Sequence, residues 1–154
     1  MLHPNQVAKY FIFKSIPGTN ENITNLKLQK LLYFAQGHFL AKHGLGNPLF
    51  EEEIKAWAHG PVVPEIYRLY SDYKFMEINK SGTENMDAEI EENYKKVLDA
   101  VWETYKSYNG KELEKKTHEE GPWKDIRGDL PPFISTNITI PKKDIYNHFN
   151  TVTV

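Results

Sequence analysis

The sequence predicts a mainly α-helical fold, a compact bundle around two long helices with a small two-stranded β element at one edge. Two stretches, residues 25–43 and 87–109, repeat apolar residues at three- and four-residue intervals. Only Ile54–Ala58 and Ile134–Ile140 are short, β-branched or alternating. The 154 residues fit one domain spanning 1–154, a length that buries roughly two thirds of the unfolded surface.

Taken in order, Pro4 suits a first helical turn, and Val7, Ala8, Phe11 and Ile12 share one side of a short helix that Pro17-Gly18 stops. The central helix follows, from Asn25 to His43. Thr24 is its cap and Ile23 its staple onto Leu28. Leu28, Leu31, Leu32, Ala35 and Phe39 form its apolar arc. Lys42 and His43 suit the negative end of the helix dipole, and Gly44 can take the left-handed turn that closes it. Ile54–Ala58 reads as a strand, Gly60-Pro61 as a turn, and Pro64-Glu65 as the start of a helix carrying Ile66, Leu69, Tyr70 and Tyr73. Residues 77–87 are polar and read as a flexible loop. Asp87 is the expected cap of the second long helix, where Ile90, Tyr94, Val97, Leu98, Val101, Trp102, Tyr105 and Tyr108 recur at three- and four-residue intervals until Asn109-Gly110. A short helix over 111–119 ends at Gly121-Pro122. The segment near Ile138 is the best partner for the strand at Ile54–Ala58, because a lone strand leaves its backbone unpaired. Pro141 opens a last helix through Phe149.

The motif Leu28-Gln-Lys-Leu-Leu-Tyr-Phe-Ala-Gln36, followed by Pro48-Leu-Phe50, Ile54-Lys-Ala-Trp57 and Gly60-Pro-Val62, resembles the Panacea domain, as do Thr117-His118, Pro122-Trp123 and Ile140-Pro141 through Phe149. That family includes SocA-like antitoxins and phage-associated GepA-like proteins. The resemblance implies an antitoxin that neutralises a cognate protein toxin, encoded beside it, by direct contact. SocA-like members are associated with delivering a toxin to a protease, so the resemblance also allows a proteolytic adaptor with a cytosolic protease as partner.

The composition excludes several other classes. A formal charge of -2 offers phosphate backbones no global attraction, and no helix-turn-helix unit precedes the domain, so nucleic acid is not expected as a partner. There is no cysteine for disulfides, thiolate chemistry or metal binding. Met1-Leu-His-Pro-Asn lacks the features of a signal peptide and no run reaches membrane-spanning length, so a cytoplasmic protein without a membrane partner is expected. The six histidines, at 3, 38, 43, 59, 118 and 148, form no two-histidine helical pair of the zinc hydrolase kind. No nucleophile elbow or phosphate-cradling loop is present. No catalysis, cofactor or metal is therefore expected. The enzyme alternative is a metal-assisted hydrolase built on His118 with Glu119 and Glu120.

The candidate partner-binding residues are Gln29, Tyr33, Gln36, Trp57, His59, Gly60, Pro61 and Trp123. Gln29, Tyr33 and Gln36 share one helical stripe, which would contact a partner or tie down neighbouring loop backbone. Trp57, His59, Gly60 and Pro61 put an aromatic anchor on a rigid turn, or form a structural corner. Trp123 either joins a contact surface or packs beneath the helices. Glu51-Glu-Glu53 suits a basic partner, or is a solvated loop.

Overall fold

The computed structural model describes residues 1–152 and is mainly helical. α1 spans Pro4–Lys14, and its cap is a side chain the sequence reading passed over: His3 Nδ1 accepts the Asn5 amide at 3.0 Å while Gln6 Oε1 takes the His3 amide at 2.9 Å. α2 spans Asn25–His43, with Lys27 N–H donating to Thr24 Oγ1 at 3.3 Å and Gly44 at φ 96° closing the far end. Every residue of α2 from Leu28 to Leu40 is buried, so this helix is the axis on which α1 and the helices Glu92–Tyr105, Gly110–His118 and Lys142–Phe149 pack.

The second long helix is broken. α4 covers only Met86–Glu89, and Ile90, extended at φ -98° and ψ 126°, turns its side chain into the core before α5 begins at Glu92 and runs to Tyr105. Asp87 caps nothing: it lies within α4, and its carbonyl and carboxylate take Lys95 Nζ. Asn109 caps α6, Gly110–His118, through a reciprocal box with Glu112. Gly121-Pro122 does not merely stop a helix. It starts α7, Gly121–Arg127, because proline is as well suited to a first turn as to a break. Residues 77–87 are anchored, with the Ile78 amide donating to Ile23 C=O at 2.8 Å and Ile78, Thr83 and Met86 buried.

Among the described residues the β element has three strands, not two. β1, Ile54–Trp57, lies between β2, Gly60–Val62, and β3, Thr139–Ile140, all antiparallel. The segment read as a turn is itself β2: Trp57 pairs with Gly60, leaving Ala58 and His59 as a two-residue hairpin loop. The expected partnership with the Ile138 segment is present, as the Ala56 amide donates to Ile138 C=O at 2.8 Å. β2 tolerates Pro61 because it is an edge strand, where a missing N–H breaks no ladder, and α2 side chains cover its open side. Lys30 Nζ donates to Pro61 C=O at 3.0 Å, and the Val63 amide donates to Gln29 Oε1 at 3.0 Å.

α8, Lys142–Phe149, seats Phe149 directly on α2 at Gly37, where an added Cβ would lie 2.2 Å from the ring. Around this contact Phe34 stacks on Tyr105 at 4.1 Å, and Leu28, Leu31, Leu32, Trp102 and Ile145 complete one contiguous core.

Candidate functional site

Strand alternation buries Ile54 and Ala56 and turns Lys55 and Trp57 to the outer face of the sheet. Over that face lies an open groove of about 1130 Å³. One wall is α3, Pro64–Leu69, with Glu65, Tyr67 and Arg68, continued by Lys74-Phe75; the 135–137 segment and Lys111 also line it. Trp57 is held from two sides, by an edge-on Tyr67 at 5.2 Å and by a bond from its Nε1 to Asn137 Oδ1 at 2.8 Å. Phe75 stands 83% exposed at the rim, aimed outward by Lys74 in the left-handed region at φ 55°.

The groove carries both signs of charge. Glu52, Glu53 and Glu65 line it together with Lys55, Arg68, Lys74 and Lys111. His3 Nε2 sits 3.5 Å from a Glu52 oxygen and 3.4 Å from a Glu65 oxygen. At the hairpin, His59 Nδ1 is 3.3 Å from Glu114 Oε1. Beneath the hairpin the Lys30 amine is fully buried, and burial lowers its pKa to about 7 against the opposing pull of Glu114. Gly60, at φ 104°, is required there, since a Cβ would come within 2.6 Å of Lys30 Cε.

Of the eight candidate residues Trp57, His59 and Gln29 line the groove, but Gln29 lies 1% exposed in its floor, and the stripe on α2 is an interior feature. Gln29 accepts from Val63 and donates to Asn25 Oδ1 at 3.0 Å. Gln36 accepts the Leu49 amide at 2.8 Å and donates to Phe50 C=O at 2.7 Å. These amides satisfy the backbone of chain segments that arrive at the helix, which is why polar residues stand in a buried row. The Tyr33 hydroxyl donates to Glu120 Oε1 at 3.0 Å, and burial with the Glu120 charge pushes its pKa well up. Gly60 and Pro61 are buried in β2 against α2. Trp123 is 4% exposed, donates to Trp57 C=O at 2.8 Å and is sandwiched by His118 at 3.9 Å and the Arg127 guanidinium at 4.7 Å. None of these six offers a free side chain to a partner.

The residues of the hydrolase alternative do not converge. His118 stacks on Trp123 and burial lowers its pKa, whereas Glu120 turns to Tyr33, to His148 Nε2 at 3.3 Å and to Lys116 at 3.7 Å. Burial raises the Glu120 pKa. Among the described residues the group with metal-ligand spacing is instead His3, Glu52 and Glu65, whose ligand atoms lie within 4.8 Å of one another. His3 Nδ1 is occupied by the Asn5 amide, so the neutral ring carries its proton on Nε2 and offers no lone pair to a metal there.

Sequence reasoning missed Tyr67, Phe75 and Asn137 as groove residues, and His3 as the neighbour of two carboxylates. The one pointer was the Glu51–Glu53 run.

Fold and groove define a small, mainly helical protein with an open, partly apolar groove over its sheet. The chain belongs to the family described as antitoxin SocA-like, Panacea domain, whose sequence model matches residues 28–124, from α2 through the groove floor to the start of α7. The antitoxin SocA of Caulobacter vibrioides (strain NA1000 / CB15N) is 53% identical over 49 residues, a match that covers 32% of this chain and 25% of that protein's length. No solved structure matches the chain. No helix among the described residues is long and apolar enough to cross a membrane.

Proposed function

We propose that this protein is the antitoxin of a toxin–antitoxin pair and neutralises a cognate protein toxin by direct contact, acting in the cytoplasm without catalysis. Family membership supports the antitoxin role. The observation that carries the contact reading is the groove over the outer face of the sheet, where Trp57, pinned by Tyr67 and Asn137, is backed by an exposed Phe75. Preset aromatic anchors surrounded by polar groups are how protein interfaces gain most of their affinity.

The test is growth rescue. Expressed with the toxic reading frame encoded beside it, the parent restores growth and Trp57→Ala loses rescue, with a melting temperature close to the parent's because the ring is only partly buried. Truncating such an anchor costs about 2 kcal/mol or more of binding, roughly a thirtyfold loss of affinity. Full rescue by a folded Trp57→Ala removes the groove from the mechanism. Toxin abundance in the same cells separates holding the toxin from delivering it to a cytosolic protease, since only delivery depletes it.

A further inference from the structure

We infer that the groove receives a segment of the partner protein that carries a cationic side chain beside an apolar one, the cation seating between Glu52 and Glu65 and the apolar group on Trp57 and Tyr67. This rests on the proposed antitoxin role and adds the chemistry of the partner.

The carboxylate pair is the first observation. Glu52 and Glu65 arrive from different elements, the segment before β1 and the first turn of α3, and both approach the same His3 Nε2. That nitrogen has one proton to give. Its ring cannot swing to serve them differently, because Nδ1 is held by the Asn5 amide in the cap of α1. Two carboxylates therefore converge on a single donor, and like charges this close repel unless a cation is supplied. Glu65 has a cation one helical turn away in Arg68, yet makes no ion pair with it among the described residues and turns to His3 instead. With side-chain exposures of 33% and 52%, Glu52 and Glu65 keep acceptor positions open to an incoming guanidinium or ammonium.

The second observation is what adjoins the pair. The other nearby carboxylate, Glu53, is already matched with Lys55 at 3.4 Å, and Lys55 is bound in turn to Thr139 at 2.7 Å. Past Lys55 on the same face comes Trp57, one pleat repeat further along β1, and its edge-on partner Tyr67 stands two residues beyond Glu65 on α3, so the aromatic floor adjoins the acidic seat through that helix. An acidic seat next to an aromatic floor is complementary in charge and polarity to a basic side chain followed by an apolar one. The same complementarity speeds encounter with a basic partner.

The experiment uses the full chain and a short fluorescein-labelled peptide with a central Arg-Leu pair in a Gly/Ser background, set against the same peptide with Glu in place of Arg. Fluorescence anisotropy at low salt should give about tenfold tighter binding of the Arg peptide, a preference that falls several-fold in Glu52→Gln/Glu65→Gln and reverses in Glu52→Lys/Glu65→Lys, and that weakens as salt is added. Circular dichroism checks that both variants fold, and the neutral pair keeps the test meaningful if charge reversal unfolds the protein. Equal affinity for the two peptides, saturable binding of neither, or a preference for the Glu peptide overturns the inference. Growth assays separate it from the antitoxin role: if the parent rescues and the folded Glu52→Lys/Glu65→Lys variant rescues equally, the inference falls and the role stands. If the peptides discriminate as expected but the parent never rescues, the role falls and the binding chemistry stands.

Discussion

The stripe on α2 and the outer face of β1 contain the same kinds of residue, yet they do opposite things. Gln29, Tyr33 and Gln36 have every side-chain polar group bonded within the chain, to Val63, Asn25, Glu120, Leu49 and Phe50. On the groove side, Glu52 and Glu65 share one donor, Phe75 is bare, and Trp57 spends its one N–H on Asn137 while its ring remains accessible. A polar or aromatic residue is available to a partner only when its needs are left unmet by its own fold. By that criterion α2 is the structural axis and the groove is the proposed contact surface.

The largest expected effect tests the interior half of this contrast. Tyr33 is fully buried, edge-on to Phe34 and to Phe149 at 5.3 Å each, so Tyr33→Ala should cost about 3–5 kcal/mol of stability, as large aromatic truncations do. Tyr33→Phe keeps the rings and loses only the bond to Glu120, about 1 kcal/mol. Urea unfolding measures both. A Tyr33→Ala protein that unfolds at the parent's midpoint would make the stripe a surface after all, and any loss of neutralisation in this variant reads as unfolding rather than as a lost contact.

How far the chain announced this arrangement depends on how local each cause is. α2 was legible because Thr24, its apolar arc and Gly44 all lie within the helix or at its ends. β2 was not, since Gly60-Pro-Val62 reads as a turn until Gln29 and Lys30, thirty residues upstream, close its edge. Ile90 keeps the helical period, so nothing nearby reveals that it breaks the second long helix. At the site, Trp57 and His59 were visible as an aromatic and a titratable ring at a hairpin. Tyr67, Phe75 and Asn137 were not, because three distant segments bring them together.

Lys30 gives an intermediate effect with a defined sign. Its amine is held to about 7 in the folded protein from an ordinary 10.5, and Lys27 is lowered by burial to about 8. Between about pH 7 and pH 9 the unfolded chain therefore holds protons that the folded chain has released, so stability rises with pH across that window and is lower below it, while closer to pH 10 the raised pKa values of Tyr10, Tyr33, Tyr70 and Tyr105 oppose the rise. The rise for Lys30 is of the order of 2 kcal/mol between neutrality and the upper end. Urea midpoints across this range measure it. Lys30→Met should flatten the profile, leaving the smaller slope due to Lys27, and a parent profile that is flat or falls with pH would show that the amine under Gly60 stays charged.

The smallest effect lies at the groove's own rim. His59 occupies the hairpin loop with its side chain 72% exposed, and its only polar partner among the described residues is Glu114 at 3.3 Å. Glu114 keeps Lys111 at 3.6 Å when the imidazole is removed. An exposed pair of this kind contributes little, so His59→Ala should change stability by less than about 0.5 kcal/mol. Its expected influence on neutralisation is also slight, a few-fold at most, because rim contacts mainly exclude water around an anchor. The contrast with Trp57→Ala is what makes the measurement useful. If growth rescue tracks Trp57 and ignores His59, affinity is concentrated on the floor beside the acidic pair. If His59→Ala alone abolishes rescue while the protein melts like the parent, the toxin engages the hairpin end near Lys111 and Glu114, and the centre of the contact must be moved there.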